Sequence, residues 1–128
     1  MKIRQIFLIV TALGLFPIAL SYGLMPQKTL YSLFDISVSE PNGTHIFRAV
    51  MGLYIAQIAF WLIGAFKANL RQAALYSLTI FMLGLAGGRV FSLIIDGIPH
   101  WLLVAYLVLE VLFGLLGVIL LKKTEPVN

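Results

Sequence analysis

Four apolar stretches, each long enough to cross a lipid bilayer, limit what this sequence can fold into. They cover residues 6–25, 46–66, 73–95 and 101–121. A transmembrane helix needs about 20 predominantly apolar residues, and the stretches lack the period-two alternation of strands. Because a backbone in lipid must satisfy its own hydrogen bonds, we predict an all-α fold, a four-helix transmembrane bundle. We expect residues 1–128 to form a single integral membrane domain.

The composition argues against most classes of soluble protein. Hydrophobic residues make up 61% of the chain and charged residues 11%, whereas a soluble domain usually has about 25% charged residues. The absence of cysteine excludes disulfides and thiolate chemistry. No pattern of paired histidines and carboxylates indicates a metal site. We therefore expect no cofactor and no nucleic-acid partner, and the lack of a catalytic constellation favours a non-enzymatic role.

The basic residues predict an orientation in the membrane. Six of them flank the spans on one side, and one lies on the other side: Lys2, Arg4, Lys67, Arg71, Lys122 and Lys123 against Lys28. Cytoplasmic loops of membrane proteins are enriched in Lys and Arg. We therefore expect a multi-pass membrane protein with both termini in the cytoplasm.

A cleavable signal peptide is the alternative interpretation of the first apolar stretch. Lys2 and Arg4 precede it, and the small residues Ala19 and Ser21 lie near its end, as they would at a cleavage site. The apolar run nevertheless continues to Met25, which is the length of a span. We favour a transmembrane helix; cleavage would leave three spans.

The connection between the first two spans, residues 26–44, is the longest loop. Leu30, Leu33 and Phe34 follow helical spacing among polar neighbours, which predicts a short interfacial helix on the outer membrane surface. Residues 39–43, which contain Pro-Asn-Gly at 41–43, then predict a turn before the second span.

Small residues indicate where the helices approach one another, because lipid removes most of the hydrophobic attraction between them. The candidates for helix packing are Gly52 and Ala56 in the second span, Gly84 and Gly88 in the third, and Gly114 and Gly117 in the fourth. We expect these three helices to pack tightly and the first to be more peripheral. The small-residue faces can contact helices of this chain or a second protein.

Arg89 and Glu110 are ionisable residues inside predicted spans, where an unpaired charge is costly. Counted from the connection at Ile98, their heights differ by only about 4–5 Å at about 1.5 Å per residue. We therefore predict an ion pair between the third and fourth spans. A protonated Glu110 is the alternative, since it also avoids an isolated anion in hydrocarbon.

Further polar residues extend this pair into a predicted cluster in the outer half of the bundle. Its members are Arg48, Arg89, Ser92, Asp96, Tyr106 and Glu110, with Asn42 and His45 at its mouth. We expect Asp96 to be the counter-ion of Arg48. The cluster is interpreted either as a pocket for a polar or anionic ligand, a lipid headgroup or a proton, or as a network that fixes helix register.

Three short motifs resemble a known family. They are Arg48-Ala-x-x-Gly52, Gly88-Arg89-x-x-Ser92 and Asp96-Gly-x-Pro99, followed by Glu110. With their surroundings, from about Phe7 to Leu121, they resemble domain-of-unknown-function family 4345, small bacterial four-helix membrane proteins. The resemblance implies a four-span bundle and marks the charged residues. It implies no activity.

Two functional hypotheses follow. The first is a non-catalytic accessory or scaffold subunit that contacts membrane lipid and associates with a larger membrane protein complex or with copies of itself. The second is a protein that uses the polar cluster to bind a small molecule, a quinone or a lipid, with a link to transport.

Overall fold

Five helices account for almost all of the residues, 2–123, that the computed structural model describes. They are α1 (Ile3–Gly23), α2 (Pro26–Phe34), α3 (Pro41–Phe66), α4 (Ala68–Asp96) and α5 (Trp101–Lys122). The described residues contain no strand, so the predicted all-α fold is confirmed. All the helices except α2 are long and apolar enough to cross a membrane, which makes this a multi-pass membrane protein. We call the end with Lys2, Lys67 and Lys123 the basic end, and the opposite end the α2 end.

The predicted turn at residues 41–43 is wrong, because these residues form the first turn of α3. Pro41 is the first residue of that helix, and Glu40 before it is extended, with φ −97° and ψ 150°. Proline suits this position because its fixed φ is helical and its missing N–H would have no intrahelical partner. The second long helix therefore begins at Pro41 instead of at residue 46.

The expectation that the first span is peripheral is also wrong. Leu8, Ala12 and Ala19 of α1 have no exposed surface at all, and α1 packs along α3. At Gly23 the two helices are so close that an added Cβ would lie 2.9 Å from the carbonyl oxygen of Phe47. The sequence shows few small residues in α1, but Ala12, Ala19 and Gly23 among them lie in the contact with other helices.

Only part of the predicted small-residue packing is present. A Cβ added to Gly114 would lie 2.5 Å from Leu83 Cδ2, and one added to Gly117 would clash with Thr79, so both glycines let α5 approach α4. Gly64, which the sequence analysis missed, similarly lies against Ala74.

The remaining predicted packing residues, Gly52, Ala56, Gly84 and Gly88, are exposed, with nothing within 4 Å of a Cβ added to the three glycines. The reason is that α3 and α4 meet through large rings instead. Phe81 of α4 contacts Tyr54 and Trp61 of α3, with ring centroids 5.1 and 5.4 Å apart. Because these rings fill the space between the helices, the faces with small residues remain uncovered.

The predicted short helix is confirmed as α2, and it covers one end of the bundle. Its Leu30 and Phe34 are buried against neighbouring helices. The Phe34 ring lies 6.0 Å from Tyr22 of α1 and 5.9 Å from Tyr106 of α5. The helix ends at Asp35, which has a left-handed backbone with φ 59°. As a result, α2 closes the bundle above the charged residues described next.

Candidate functional site

The ion pair predicted from the sequence is present. Arg89 Nε donates to Glu110 Oε1 at 2.7 Å, and the side chains of Arg89 and Glu110 are 21% and 7% exposed. The guanidinium also donates from Nη2 to the Tyr22 hydroxyl at 3.3 Å and lies 5.8 Å from the centre of the Tyr106 ring. An arginine at this distance from an aromatic face is stabilised by cation–π attraction.

Two aromatic residues of this site, Tyr22 and Phe34, were not predicted. Tyr22 reaches the pair from the end of α1 and packs edge-on against Tyr54 of α3, with ring centroids 5.5 Å apart. Phe34 reaches it from α2 and stacks on Tyr22. Nothing in the spacing of α1 and α2 relates these rings to the charges of α4 and α5, because only the packing of the helices brings them together.

A cavity of about 170 Å³ lies between α1 and α5, with Glu110 in its wall; we call it the α1–α5 cavity. At the basic end the two helices are in contact through Phe7 and Phe113, whose ring centroids are 5.8 Å apart. Val10, Gly14 and Leu109 line the cavity and are exposed, so it opens on the surface that faces lipid.

Glu110 presents an oxygen to this cavity. Its Oε1 accepts from Arg89, and its Oε2 has no hydrogen-bond partner among residues 2–123. The buried side-chain atoms without such a partner in that part of the chain are Lys2 Nζ and Arg71 Nε. Glu110 Oε2 also lacks a partner but is not one of these enclosed atoms, so it must have accessible surface. Because Glu110 lines the α1–α5 cavity, the cavity contains a hydrogen-bond acceptor on a mostly apolar wall, whose other polar residues are Thr11, Tyr54 and Tyr106.

A second cavity, of about 600 Å³, lies on another face of the bundle, between α3, α4 and α5; we call it the α4 groove. One side is formed by residues of α4 at intervals of four: Ile80, Gly84, Gly88 and Ser92. Arg89 also lines this groove. The ion pair therefore has its cation at the α4 groove and its anion at the α1–α5 cavity.

Of the other predicted members, Tyr106 contacts Arg89 through its ring, whereas Arg48, Ser92 and Asp96 make no hydrogen bond with the ion pair. Arg48 donates from Nη1 to the carbonyl oxygens of Gly23 and Leu24, at 2.9 and 3.3 Å, so the predicted Arg48–Asp96 pair is wrong. Carbonyl groups at a helix C-terminus have no intrahelical partner and attract cations, and the end of α1 offers such groups directly beside Arg48. Asp96 instead accepts a 2.7 Å hydrogen bond from the Ser92 hydroxyl.

Asn42 and His45 are exposed in the first turns of α3, and neither lines the α1–α5 cavity or the α4 groove. Their predicted place at the mouth of the cluster is therefore wrong. The early start of α3 explains the error, because it places these residues on a continuous helix instead of in a loop that folds over the charges.

A further set of buried polar residues, at the basic end, was missed as a structural feature. Arg4 is 5% exposed and donates to Gln72 Oε1 and to the carbonyl oxygens of Leu120 and Lys123, at 2.8, 2.8 and 2.6 Å. The carbonyl oxygen of Ala65 accepts from Gln5 Nε2 and Arg71 Nη2, both at 2.9 Å. The sequence analysis used Arg4 and Arg71 only as orientation signals, but they also bind the C-terminal ends of α5 and α3.

With this geometry established, comparison with known proteins places the chain. Residues 3–121 match the profile of a family described as Domain of unknown function (DUF4345). The chain belongs to this family. No curated protein and no solved structure is significantly similar to it. Membership in the family agrees with the resemblance seen in the motifs around Arg48, Arg89 and Asp96, and its description names no activity.

Proposed function

We propose that this protein binds a small membrane-soluble molecule whose polar head enters the α1–α5 cavity. The observation that carries the proposal is the position of Glu110, a buried carboxylate that has one unpartnered oxygen and lines a mostly apolar cavity that opens towards lipid. An ionisable residue inside a membrane-spanning segment is costly and commonly functional. The Arg89 partner lowers this cost while leaving the second oxygen able to accept.

The size of the cavity sets the size of the head group. Its volume of about 170 Å³ is close to that of an engineered protein cavity of about 150 Å³ that binds benzene. Sites that enclose a whole drug-sized ligand are about 300–1,000 Å³. One ring-sized group therefore fits inside, and any alkyl tail of the ligand remains between α1 and α5 in the lipid.

The polarity of the cavity sets the chemistry of the head group. When Glu110 is ionised, its Oε2 can accept a hydrogen bond but cannot donate one. The head group therefore carries a hydroxyl or amine donor, as a phenol or a quinol does. Hydrogen bonds to charged groups contribute about 1.5–3 kcal/mol. Met82 and Phe113 also line the cavity and provide apolar contacts for a ring.

The proposal also includes an orientation, with both termini in the cytoplasm of a bacterium and the bundle in its inner membrane. It is supported by the excess of Lys and Arg at the basic end. In this orientation Glu110 lies in the outer leaflet, beneath α2. A periplasm-dependent alkaline phosphatase fused after Lys123 is expected to be inactive, and an active fusion would contradict the orientation.

Glycine substitutions test the proposed binding site without disturbing the fold. Gly14 lines the cavity, and a Cβ added to it meets nothing within 4 Å. Gly52 has the same free space and lines neither cavity, so Gly52→Leu is a matched control for Gly14→Leu. The measurement is native mass spectrometry of the purified protein with an alkylphenol or with its methyl ether, which lacks the donor.

We expect the wild type and Gly52→Leu to retain one alkylphenol, and Gly14→Leu to retain at least tenfold less. The methyl ether is expected to bind at least tenfold more weakly than the phenol to all three proteins. Equal retention by Gly14→Leu and the wild type would exclude the α1–α5 cavity as the site. Equal retention of phenol and ether would exclude Glu110 as the acceptor.

Association with another membrane protein is a second candidate function, supported by a different surface. Gly52 and Ala56 of α3 are exposed small residues one turn apart, and such pairs allow another helix to approach closely. The partner would be a subunit of a larger complex or a second copy of this chain. We expect extraction from native membranes in mild detergent to give a complex that Gly52→Leu weakens; a stable monomer with nothing co-purifying would exclude this function.

A further inference from the structure

The α4 groove contains a hydrogen-bond donor that the protein does not use. Arg89 donates from Nε to Glu110 and from Nη2 to Tyr22, and its Nη1 has no partner among residues 2–123. In this range, the side-chain atoms that are both buried and unpartnered belong to Lys2 and Arg71. Arg89 Nη1 is unpartnered but is not one of these atoms, so it has accessible surface. Because Arg89 lines the groove, its free N–H groups are available to an occupant of that groove.

The charge around this donor favours a neutral acceptor. Glu110, at 2.7 Å, balances the charge of Arg89, and Arg89 is the one charged residue of the described chain that lines the groove. A bound anion would therefore be an uncompensated charge in a medium of low dielectric, which is strongly unfavourable. A carbonyl oxygen accepts from the guanidinium without adding a charge.

The shape of the groove favours a long apolar chain beside this acceptor. From Ile80 to Ser92 the lining of α4 extends for about 18 Å, at about 1.5 Å per residue. Nothing lies within 4 Å of a Cβ added to Gly84 or Gly88, which leaves room along the middle of the groove. Its polar residues, Arg89 and Ser92, are towards the α2 end, and Ile80 is towards the basic end. An amphiphile would therefore bind with its head near α2.

From these observations we infer that the α4 groove is a second binding site, for a neutral amphiphile that carries a carbonyl group. The carbonyl oxygen accepts from Arg89 Nη1, and the alkyl chain lies along Gly84 and Gly88. The same chemistry is found in the ester of a bilayer glycerolipid and in a free fatty ketone or ester. This inference does not depend on the proposed function, because its donor and its lining residues belong to a different cavity.

The test compares pairs of probes that differ only in the carbonyl group. The purified protein is placed in nanodiscs of diester phosphatidylethanolamine or of its diether analogue, then released and weighed by native mass spectrometry. A second pair is a fatty methyl ketone and the alkane of equal length, added to protein in detergent. The variants are Gly88→Leu, which fills the groove, and Gly14→Leu and Gly52→Leu as controls with free space elsewhere.

We expect one carbonyl-bearing molecule to be retained by the wild type, Gly14→Leu and Gly52→Leu, and at least tenfold less by Gly88→Leu. Retention of the diester lipid identifies the bilayer as the source, and retention of the ketone alone identifies a free molecule. Retention of the diether equal to that of the diester, or of the alkane equal to that of the ketone, would overturn the inference. Failure to retain any probe would also overturn it, as would a partner protein bound in place of the probes. The comparison between probes needs only the wild-type protein. If Gly88→Leu unfolds, Gly84→Leu is used in its place.

The results separate this site from the proposed function. Two separate sites are supported if Gly14→Leu loses phenol binding but keeps carbonyl binding, and if Gly88→Leu loses carbonyl binding but keeps phenol binding. If the α1–α5 cavity binds no alkylphenol, the proposed function is contradicted. The carbonyl measurements still test the α4 groove, because they do not depend on the α1–α5 cavity.

Discussion

The two ends of the bundle both hold arginine side chains between helices, but they satisfy the charge in different ways. At the basic end Arg4 and Arg71 donate mainly to backbone carbonyls at the ends of α5 and α3, groups that every helix leaves without an intrahelical partner. In the half of the bundle near α2, Arg89 is balanced by the side chain of Glu110. The first arrangement fastens helix ends together, whereas the second places opposite charges between two cavities.

The difference shows that burial of a charge does not by itself indicate a binding site. The basic end encloses Lys2 Nζ and Arg71 Nε without hydrogen-bond partners among residues 2–123, and neither cavity is lined by these residues. No ligand can reach an enclosed donor, so it only reduces stability. The unused atoms of Arg89 and Glu110 instead lie at cavity surfaces, where a ligand can pair with them.

The largest expected effect on stability comes from breaking the ion pair. Glu110→Ala leaves Arg89 uncompensated in a region of low dielectric, which we expect to lower the free energy of unfolding by about 3–5 kcal/mol. The double change Arg89→Leu with Glu110→Leu should be less destabilising than Glu110→Ala alone, because no charge remains. Reversible unfolding by denaturing detergent in mixed micelles measures both; a double variant less stable than the single one would contradict the assigned pair.

A smaller effect is expected at the basic end, and it separates structural arginines from the site. Arg4→Ala removes hydrogen bonds to Leu120, Lys123 and Gln72, of which only the one to Leu120 is fully buried. A hydrogen bond to a charged group contributes about 1.5–3 kcal/mol, and water can replace the two part-buried bonds. We expect a loss of about 2–3 kcal/mol in unfolding free energy with binding of the alkylphenol unchanged. Arg4→Lys should restore only part of the stability, because an ammonium group lacks the planar fork of arginine. Altered phenol affinity in folded Arg4→Ala would show that the two ends are coupled.

Closely packed glycines should respond more strongly to a methyl group than glycines that border a cavity. In Gly117→Ala the new Cβ would clash with Thr79, so we expect a loss of about 1–3 kcal/mol, as is typical of overpacking. Gly14→Ala is the matched control in the same assay. A Gly117→Ala protein as stable as the wild type would show that α4 and α5 can separate without loss of contact energy.

The smallest effect is expected in the α4 groove. Gly84→Ala adds a Cβ that meets nothing within 4 Å, and alanine is favoured over glycine inside a helix by up to about 1 kcal/mol. We therefore expect the unfolding free energy to rise slightly, within that limit, in the same unfolding assay. If Gly84→Ala instead lowers the unfolding free energy by more than about 1 kcal/mol, the groove has no room for a methyl group at this position.

Features that depend on distance along one helix were predictable from the sequence. The four apolar stretches became α1, α3, α4 and α5, and counting residues from Ile98 placed Arg89 and Glu110 at similar heights. Both inferences use only helical rise and the cost of charge in lipid. The starts of α3 and α4 each lie five residues before the predicted ones, at Pro41 and Ala68. The first of these errors came from interpreting Pro41 as part of a turn when it is the first helical residue.

Features that depend on rotation of the helices were not predictable. The central position of α1, the contacts of Tyr22 and Phe34 with the charged site, and the use of Arg48 to bind the end of α1 all depend on which face each helix turns inward. In a soluble protein an apolar stripe marks that face. Here the spans are apolar on nearly every side, so the sequence contains little information about their rotation.

By itself, then, the sequence determined that helices surrounded by lipid form the bundle and that its two deep charges must meet, because hydrocarbon penalises both an open backbone and a lone ion. The tertiary structure alone decided that these charges lie between two cavities. Cavities arise where side chains from separate helices fail to fill the space between them, and that depends on the rotation and spacing of all the helices together.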